Sequence, residues 1–275
     1  MTTPGEFAQQ YGPWAFIAGG SEGIGAAYAR QIAAAGVNVV LAARRREKLE
    51  PLADEIRAES SVEVRVVPVD LRSPTLLEEL EPAVGELEVG LLVYNAGAET
   101  GIGTFAERPV SDALGLVDLN CRGPILLTHW FGGRMIARGH GGVILMTSMA
   151  AGIGTAYISV YCATKAFDRA LAEALWVEFG QHGVDVLSVP AGLTDTPTMR
   201  AVGMALDDSM PMMTSDEVAA EGLAALGTGP MWPAGELNRQ LADIFWPGDR
   251  AAFALGASAA TAGLYGLPVP EMPGA

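Results

Sequence analysis

Trp14-Ala15-Phe16-Ile17-Ala18-Gly19-Gly20-Ser21-Glu22-Gly23-Ile24-Gly25 is the stretch from which the fold follows. Five apolar residues in a row, Trp14 to Ala18, read as a strand buried on both faces. Gly19, Gly23 and Gly25 then recur as G-x-x-x-G-x-G, and an Ala-rich helix follows to about Ala35. A strand, a glycine turn and a helix in that order let the backbone approach a pyrophosphate and aim a helix N-terminus at it. Ser21 and Ile24 lie in the same turn and count among the expected cofactor contacts. The glycine spacing alone is a weak signal; the flanking strand and helix supply the context it needs.

Val37 to Ala43 reads as a second strand of the same parallel sheet. A dinucleotide unit that prefers NAD carries an acidic residue near the end of this strand, on the ribose 2′-hydroxyl. Here Arg44, Arg45 and Arg46 stand instead, three of only 17 basic residues. Cations are unfavourable at a helix start, whereas guanidinium forks bind phosphate. NADP(H) is therefore expected over NAD(H), with Arg44 as the first 2′-phosphate ligand and Arg45 as the second. Glu47 to Ala58 reads as a helix and Val62 to Val69 as a strand ending at Asp70, with Asp70-Leu71 placed beside an adenine ring. A helix from Pro74 to about Val84 precedes a fourth strand, Val89 to Tyr94, which leads into Asn95-Ala96-Gly97 and a loop, Ala98 to Arg108, bordering the site. This alternation predicts an α/β fold: one doubly wound, mostly parallel, Rossmann-like sheet flanked by helices, in a single domain over 1–275.

In the second half, Pro109 opens a long helix expected to run through Asn120 and past Pro124 to about Ala137. Val143 to Met146 is a strand with Thr147-Ser148 at its carboxyl end, the edge where such sheets bind ligands. Ser148 can donate to a carbonyl oxygen as charge develops there. No histidine is placed to make it a nucleophile. A helix from about Tyr157 to Gly180 carries Tyr161-Cys162-Ala163-Thr164-Lys165. Tyr161 and Lys165 are one turn apart on one face. A free phenol is protonated at neutral pH, and an adjacent ammonium favours its phenolate, which suits a general acid/base. Tyr157 has a tyrosine and not a lysine one turn on, so Tyr161 is preferred.

The chain has 275 residues, half of them hydrophobic, with 32 Asp and Glu against 17 Lys and Arg and a formal charge of −15. So acidic a surface disfavours nucleic acid and anionic membrane as partners. Two cysteines, Cys121 and Cys162, form no disulfide framework and fit a reducing cytoplasm. His129, His140 and His182 lack ligand spacing, and no metal site is expected. Residues 251–270 carry no charge but are rich in Ala and Gly, with Pro268 and Pro270, and read as a packed tail, not a membrane span.

Gly19-x3-Gly23-x-Gly25, Asp70, Asn95-Ala96-Gly97, Asn120, Ser148 and Tyr161-x3-Lys165, in that order, resemble the short-chain dehydrogenase/reductase family over nearly all of residues 12–235. The resemblance implies that Tyr161 gives and takes the proton, that Lys165 lowers its pKa and holds the nicotinamide ribose, that Ser148 orients the carbonyl and that Asn120 supports a water relay. It also implies that Asn95, Ala96 and Gly97 line the cofactor cleft, and that Gly192-Leu193-Thr194-Asp195-Thr196 brings Gly192, Thr194 and Thr196 to the nicotinamide end. Two departures stand out. Ala191-Gly192 replaces the family's usual Pro-Gly, and Glu22 occupies a glycine-loop position that is basic in many NADP-using members. The run Gly-Ser-Glu-Gly-Ile-Gly, with Ala-Arg after the second strand, looks similar to the hydroxysteroid dehydrogenase and 3-oxoacyl reductase branch.

The implied activity is hydride transfer between NADP(H) and a ketone or secondary alcohol on a small, moderately apolar substrate, by a homodimer or homotetramer. The alternatives are a nucleotide-sensing or scaffold protein of the same fold, and an epimerase or dehydratase using the same Tyr-Lys pair. Residues 193–213, with Met199, Met204, Met210, Met212 and Met213, are expected to form a substrate lid. Ser215-Asp216-Glu217 is expected to cap a helix to about Leu226, Met231-Trp232 to be an edge strand at best, and 236–275 to be a helical extension.

Overall fold

The computed structural model describes residues 3–97, 101–201 and 211–272. Its central feature is a sheet of six parallel strands: β1 (Trp14–Ala18), β2 (Asn38–Ala43), β3 (Val64–Pro68), β4 (Val89–Tyr94), β5 (Gly141–Ser148) and β6 (Val184–Ala191). The spatial order is β3-β2-β1-β4-β5-β6, so the winding reverses between β1 and β4. A crevice opens beyond the carboxyl ends at such a reversal. Ala18 pairs with Ala42 and Tyr94, and Ser148 with Ala191. Gly19, Asn95, Ser148 and Gly192 therefore emerge along one edge.

Apolar residues on both sides of each strand explain the two helical layers. Along β1, Ala15 and Ile17 join a cluster with Tyr28 and Ile32 of α2 (Gly23–Ala34) and Leu49 of α3 (Arg46–Glu59). Trp14, Phe16 and Ala18 join another, with Leu80 of α4 (Leu76–Val84), Phe131 and Met135, and Ala172. Period-2 alternation thus sends a continuous apolar run into two cores.

The polar N-terminal stretch, to which the sequence reading assigns no element, is helix α1 (Pro4–Tyr11), and the spacing Thr3-x-x-Glu6 with Pro4 is its sequence signal. A reciprocal cap between Thr3 and Glu6 starts it, Phe7 and Tyr11 are buried under it, and the Tyr11 hydroxyl donates to Asp185 Oδ2 at 2.7 Å. The expected single helix past Pro124 is instead α5 (Val110–Val117), a π-helical turn (Asp118–Arg122) and α6 (Gly123–Arg138). Pro124 has no N–H for the carbonyl of Asn120, and the Gly123 N–H reaches back to Asp118 O. The wide turn seats Asn120 inside the protein, fully buried.

A short 3₁₀ turn (Met149–Gly152) follows β5, and α7 (Ser159–Gly180) starts two residues later than expected, because Tyr157 has φ +71°. Beyond β6, β7 (Thr194–Asp195) pairs with β8 (Met213–Thr214), with α8 (Pro197–Ala201) between them. Met204 and Met210 of the expected lid lie outside the described residues. α9 (Ser215–Ala225) is capped by Thr214, not Ser215: Thr214 Oγ1 accepts from Glu217 N at 3.2 Å, and Glu217 Oε2 from Thr214 N at 2.8 Å. Met231 makes one parallel bridge to Ser188, flanked by Pro230 and Pro233, which stop it becoming a full strand. α10 (Glu236–Phe245) and α11 (Arg250–Tyr265) complete the tail. Among the described residues no helix is long and apolar enough to cross a membrane.

Candidate active site

The glycine turn is packed backbone against backbone. Gly19 has φ +82°, and a methyl group there would lie 2.7 Å from Ala96 N. One on Gly25 would run into Gly19 O and stand 2.7 Å from Asn95 Nδ2, which itself donates to Gly19 O at 3.1 Å. The loops after β1 and β4 are thus locked together where only glycine fits. Gly23 (φ +58°) has Thr196 against it, 3.2 Å from a methyl group's position to Thr196 Cγ2. Ser21 and Ile24 are half-buried in the same turn. The first residue before α2, Glu22, makes no side-chain cap, and the helix has no acidic residue in its first turn. This end presents helix N–H groups and a positive dipole end to the crevice.

At the end of β2 the three arginines diverge. Arg45 Nη2 lies 3.0 Å from Glu22 Oε1, and Lys48 Nζ 3.9 Å from Glu22 Oε2. Arg46 pairs along its own helix with Glu50 at 2.6 Å. Arg44 is exposed and has no ion pair among the described residues. Asp70 is held below the usual carboxylate range, first by its hydrogen bonds from Arg72 (2.7 Å at the closest) and more weakly by the charge of Arg44. Leu71 is buried beside it. Arg44 is thus without an ion pair among the described residues, whereas Arg45 is already engaged.

The second constellation gathers at the ends of β4 and β5. Lys165 is 2% exposed, and its Nζ donates to Met146 O at 2.8 Å and to Asp168 Oδ2 at 3.1 Å. Gly97 (φ +131°) approaches so closely that a methyl group would collide with Asn120 Oδ1 and lie 3.0 Å from Lys165 Nζ. Asn120 Nδ2 donates to Thr164 Oγ1 at 2.9 Å, and that hydroxyl donates to Tyr161 O at 3.0 Å. Asn120 Oδ1 is buried with no hydrogen-bond partner among the described residues. A buried acceptor left open beside Gly97 fits a site completed by a bound molecule or water. Tyr161, one turn before Lys165, is half-buried. Ser148 Oγ accepts from Ala150 N at 3.2 Å, which fixes the hydroxyl at the strand end, while its proton has no acceptor among the described residues.

Gly192 lies against Asn238, whose Nδ2 would stand 2.7 Å from a methyl group there. Thr194 is buried and donates to Gly192 O at 3.1 Å. Thr196 Oγ1 accepts from Met199 N at 3.1 Å at the start of α8. One turn before Tyr161, Tyr157 joins Phe105, Val110 and Val160 around a mostly apolar cavity of about 240 Å³. Sequence reasoning missed Asp168, buried at 1% exposure. A signal existed, because Tyr161, Lys165 and Asp168 fall at i, i+4 and i+7, a polar stripe on one helix face.

Residues 13–206 match the family described as short chain dehydrogenase. A 7beta-hydroxysteroid dehydrogenase of Clostridium sardiniense is 31% identical over 242 residues, covering 85% of this chain and 90% of that protein. A very-long-chain 3-oxoacyl-CoA reductase of Ajellomyces capsulatus is 33% identical over 69% of this chain, and the match spans 58% of its length. Among solved structures, a short-chain dehydrogenase from Sphingobium yanoikuyae in complex with NADPH superposes with a TM-score of 0.74 at 26% identity, covering 95% of this chain and 99% of that one.

Proposed function

The chain belongs to the short-chain dehydrogenase family, and on that premise we propose that it is an NADP(H)-dependent oxidoreductase for a ketone or secondary alcohol on a moderately apolar molecule. The observation that carries this reading is the meeting of Lys165 Nζ and Asn120 Oδ1 at Gly97, on the strand edge that also holds Ser148. The residues present fit a dinucleotide. Gly19, Gly23 and Gly25 make a cradle in which a side chain would fill the space, and α2 turns an uncapped end toward it. Asn95, Ala96 and Gly97 would line the middle, Asp70 and Leu71 the adenine end, and Gly192, Thr194 and Thr196 the nicotinamide end. Arg44 would take the 2′-phosphate, with Arg45 available once it leaves Glu22. The NADPH complex of the Sphingobium relative supports the phosphorylated cofactor.

When bound, the nicotinamide supplies or removes the hydride. Everything else falls to this chain. Tyr161 gives a proton to the carbonyl oxygen in reduction and takes one from the hydroxyl in oxidation. Lys165 places a positive charge one turn away, which favours the anion left on Tyr161. Ser148, with its own proton uncommitted, donates to the oxygen as charge builds on it. Asn120 keeps the π-helical turn against Thr164 and offers Oδ1 to a water on the proton's route. The apolar cavity bordered by Tyr157 and Phe105 and the hydroxysteroid and 3-oxoacyl-CoA specificity of the relatives support a lipophilic substrate.

The test is NADPH consumption against a panel of bulky ketones. Loss of absorbance that disappears in Tyr161→Phe is expected. NADPH binding with no turnover on any carbonyl would favour a nucleotide sensor of the same fold.

A further inference from the structure

Asp168 is a buried ionisable group, beside Lys165, that the proposed chemistry leaves unused. Asp168 lies three residues after Lys165 on α7, with Oδ2 on the lysine Nζ and Oδ1 without a hydrogen-bond partner among the described residues. Such a half-satisfied carboxylate is a poor device for stability, because both ions lose their hydration and the pair does little more than recover it. Nor is it needed to anchor the lysine, which Met146 O already holds at 2.8 Å. An ammonium has three N–H donors. Met146 O and Asp168 Oδ2 occupy two, and one remains for the side where Gly97 comes close.

We propose that Asp168 is a positioning residue for the Tyr161–Lys165 pair: it fixes the direction of the ammonium and offsets part of its charge, keeping Tyr161 in the neutral, proton-donating form that carbonyl reduction needs. This rests on the reading of Tyr161 and Lys165 given above. The ionisable groups facing Asp168 are Lys165 on its own helix, Tyr94 from β4 and Cys121 from the π-helical turn. Burial raises both Tyr94 and Cys121, the thiol to about 11, so neither carries charge at neutral pH. Burial also pushes Asp168 up to about 6, against the pull of Lys165. Below that pH the carboxyl is protonated and the offset disappears.

Asp168→Asn keeps the size and an acceptor for Lys165 while removing the charge. In the variant the pH of half-maximal alcohol oxidation should fall by about half a unit or more. The ratio of oxidation to reduction at neutral pH should rise, and the two profiles should merge below about pH 6. Coincident profiles across the whole range would overturn the proposal. A readout without turnover uses ¹³C-labelled lysine: the Cε resonance of Lys165 in the wild-type protein, free and with NADPH added, should show a step near pH 6. Its absence would also overturn the proposal, even if the variant does not fold. Should the wild type reduce no carbonyl at all, the catalytic reading fails, while the lysine titration still decides whether Asp168 and Lys165 are coupled.

Discussion

Glu22 Oε1 and Arg45 Nη2 lie 3.0 Å apart, tying the glycine turn to the end of β2 beside the place proposed for a 2′-phosphate. The pair is partly solvated, with side chains 50% and 25% exposed, so its share of stability is small. On the proposed reading its effect falls on selectivity, since Glu22 both occupies Arg45 and adds negative charge near the proposed phosphate site. Glu22→Gln should tighten NADPH by about threefold to tenfold and leave NADH nearly unchanged. Fluorescence titration with both cofactors checks this, and equal tightening of the two would count against it.

Arg44 is the complementary case. It is exposed and has no ion pair among the described residues, and feels the weaker, longer-range charge of Asp70. Arg44→Ala should weaken NADPH by about tenfold to a hundredfold, the range of a charge-assisted hydrogen bond, and move NADH little. A matched loss for both cofactors would remove the 2′-phosphate assignment.

Gly97 and Gly36 separate backbone strain from site geometry. Both have positive φ, +131° and +85°, but a methyl group at Gly36 meets nothing within 4 Å, whereas one at Gly97 collides with Asn120 Oδ1. Each alanine substitution should cost stability through strain of about 1–3 kcal/mol. Gly97→Ala should in addition lower kcat by about a hundredfold, as misplacement of reacting groups does. Thermal melts and steady-state rates on both variants test the distinction; a similar loss of rate in Gly36→Ala would mean that strain alone explains it.

The parallel sheet, and with it the edge where Gly19, Asn95, Ser148 and Gly192 emerge, was legible because apolar runs and glycine turns act locally, and Val89 to Tyr94 is recovered residue for residue. Part of what escaped depends on partners distant in sequence. α1 needs Phe7 and Tyr11 to find the sheet, and Tyr11 to find Asp185, 174 residues away. The π-helical turn follows from one missing N–H at Pro124 inside an otherwise helical pattern. The sequence reading ranks Arg44 ahead of Arg45 without a reason for it, and the Glu22 contact adds a physical difference between them. Asp168 lies on a polar stripe with Tyr161 and Lys165 that the sequence displays, but only the fold shows that it is buried.

Asp168 should also mark the acid side of the stability curve. Its carboxyl rises from 3.8 to about 6 on folding, so between those values the native state holds a proton that the unfolded chain has released. Stability then falls as pH rises through this window and recovers as pH drops, the reverse of a salt-bridged carboxylate. Asp70 and Glu55 are held below their usual values by Arg72 and Arg30, so they contribute in the opposite sense, losing stability as pH falls. Both are present in Asp168→Asn as well and cancel in the difference between the two proteins. Urea unfolding of the pair at several pH values isolates the effect. The wild type should gain on the variant as pH falls from above about 6 toward about 4. A difference that stays constant with pH would mean that the carboxyl binds its proton equally in both states, and that the pairing with Lys165 fully compensates its burial.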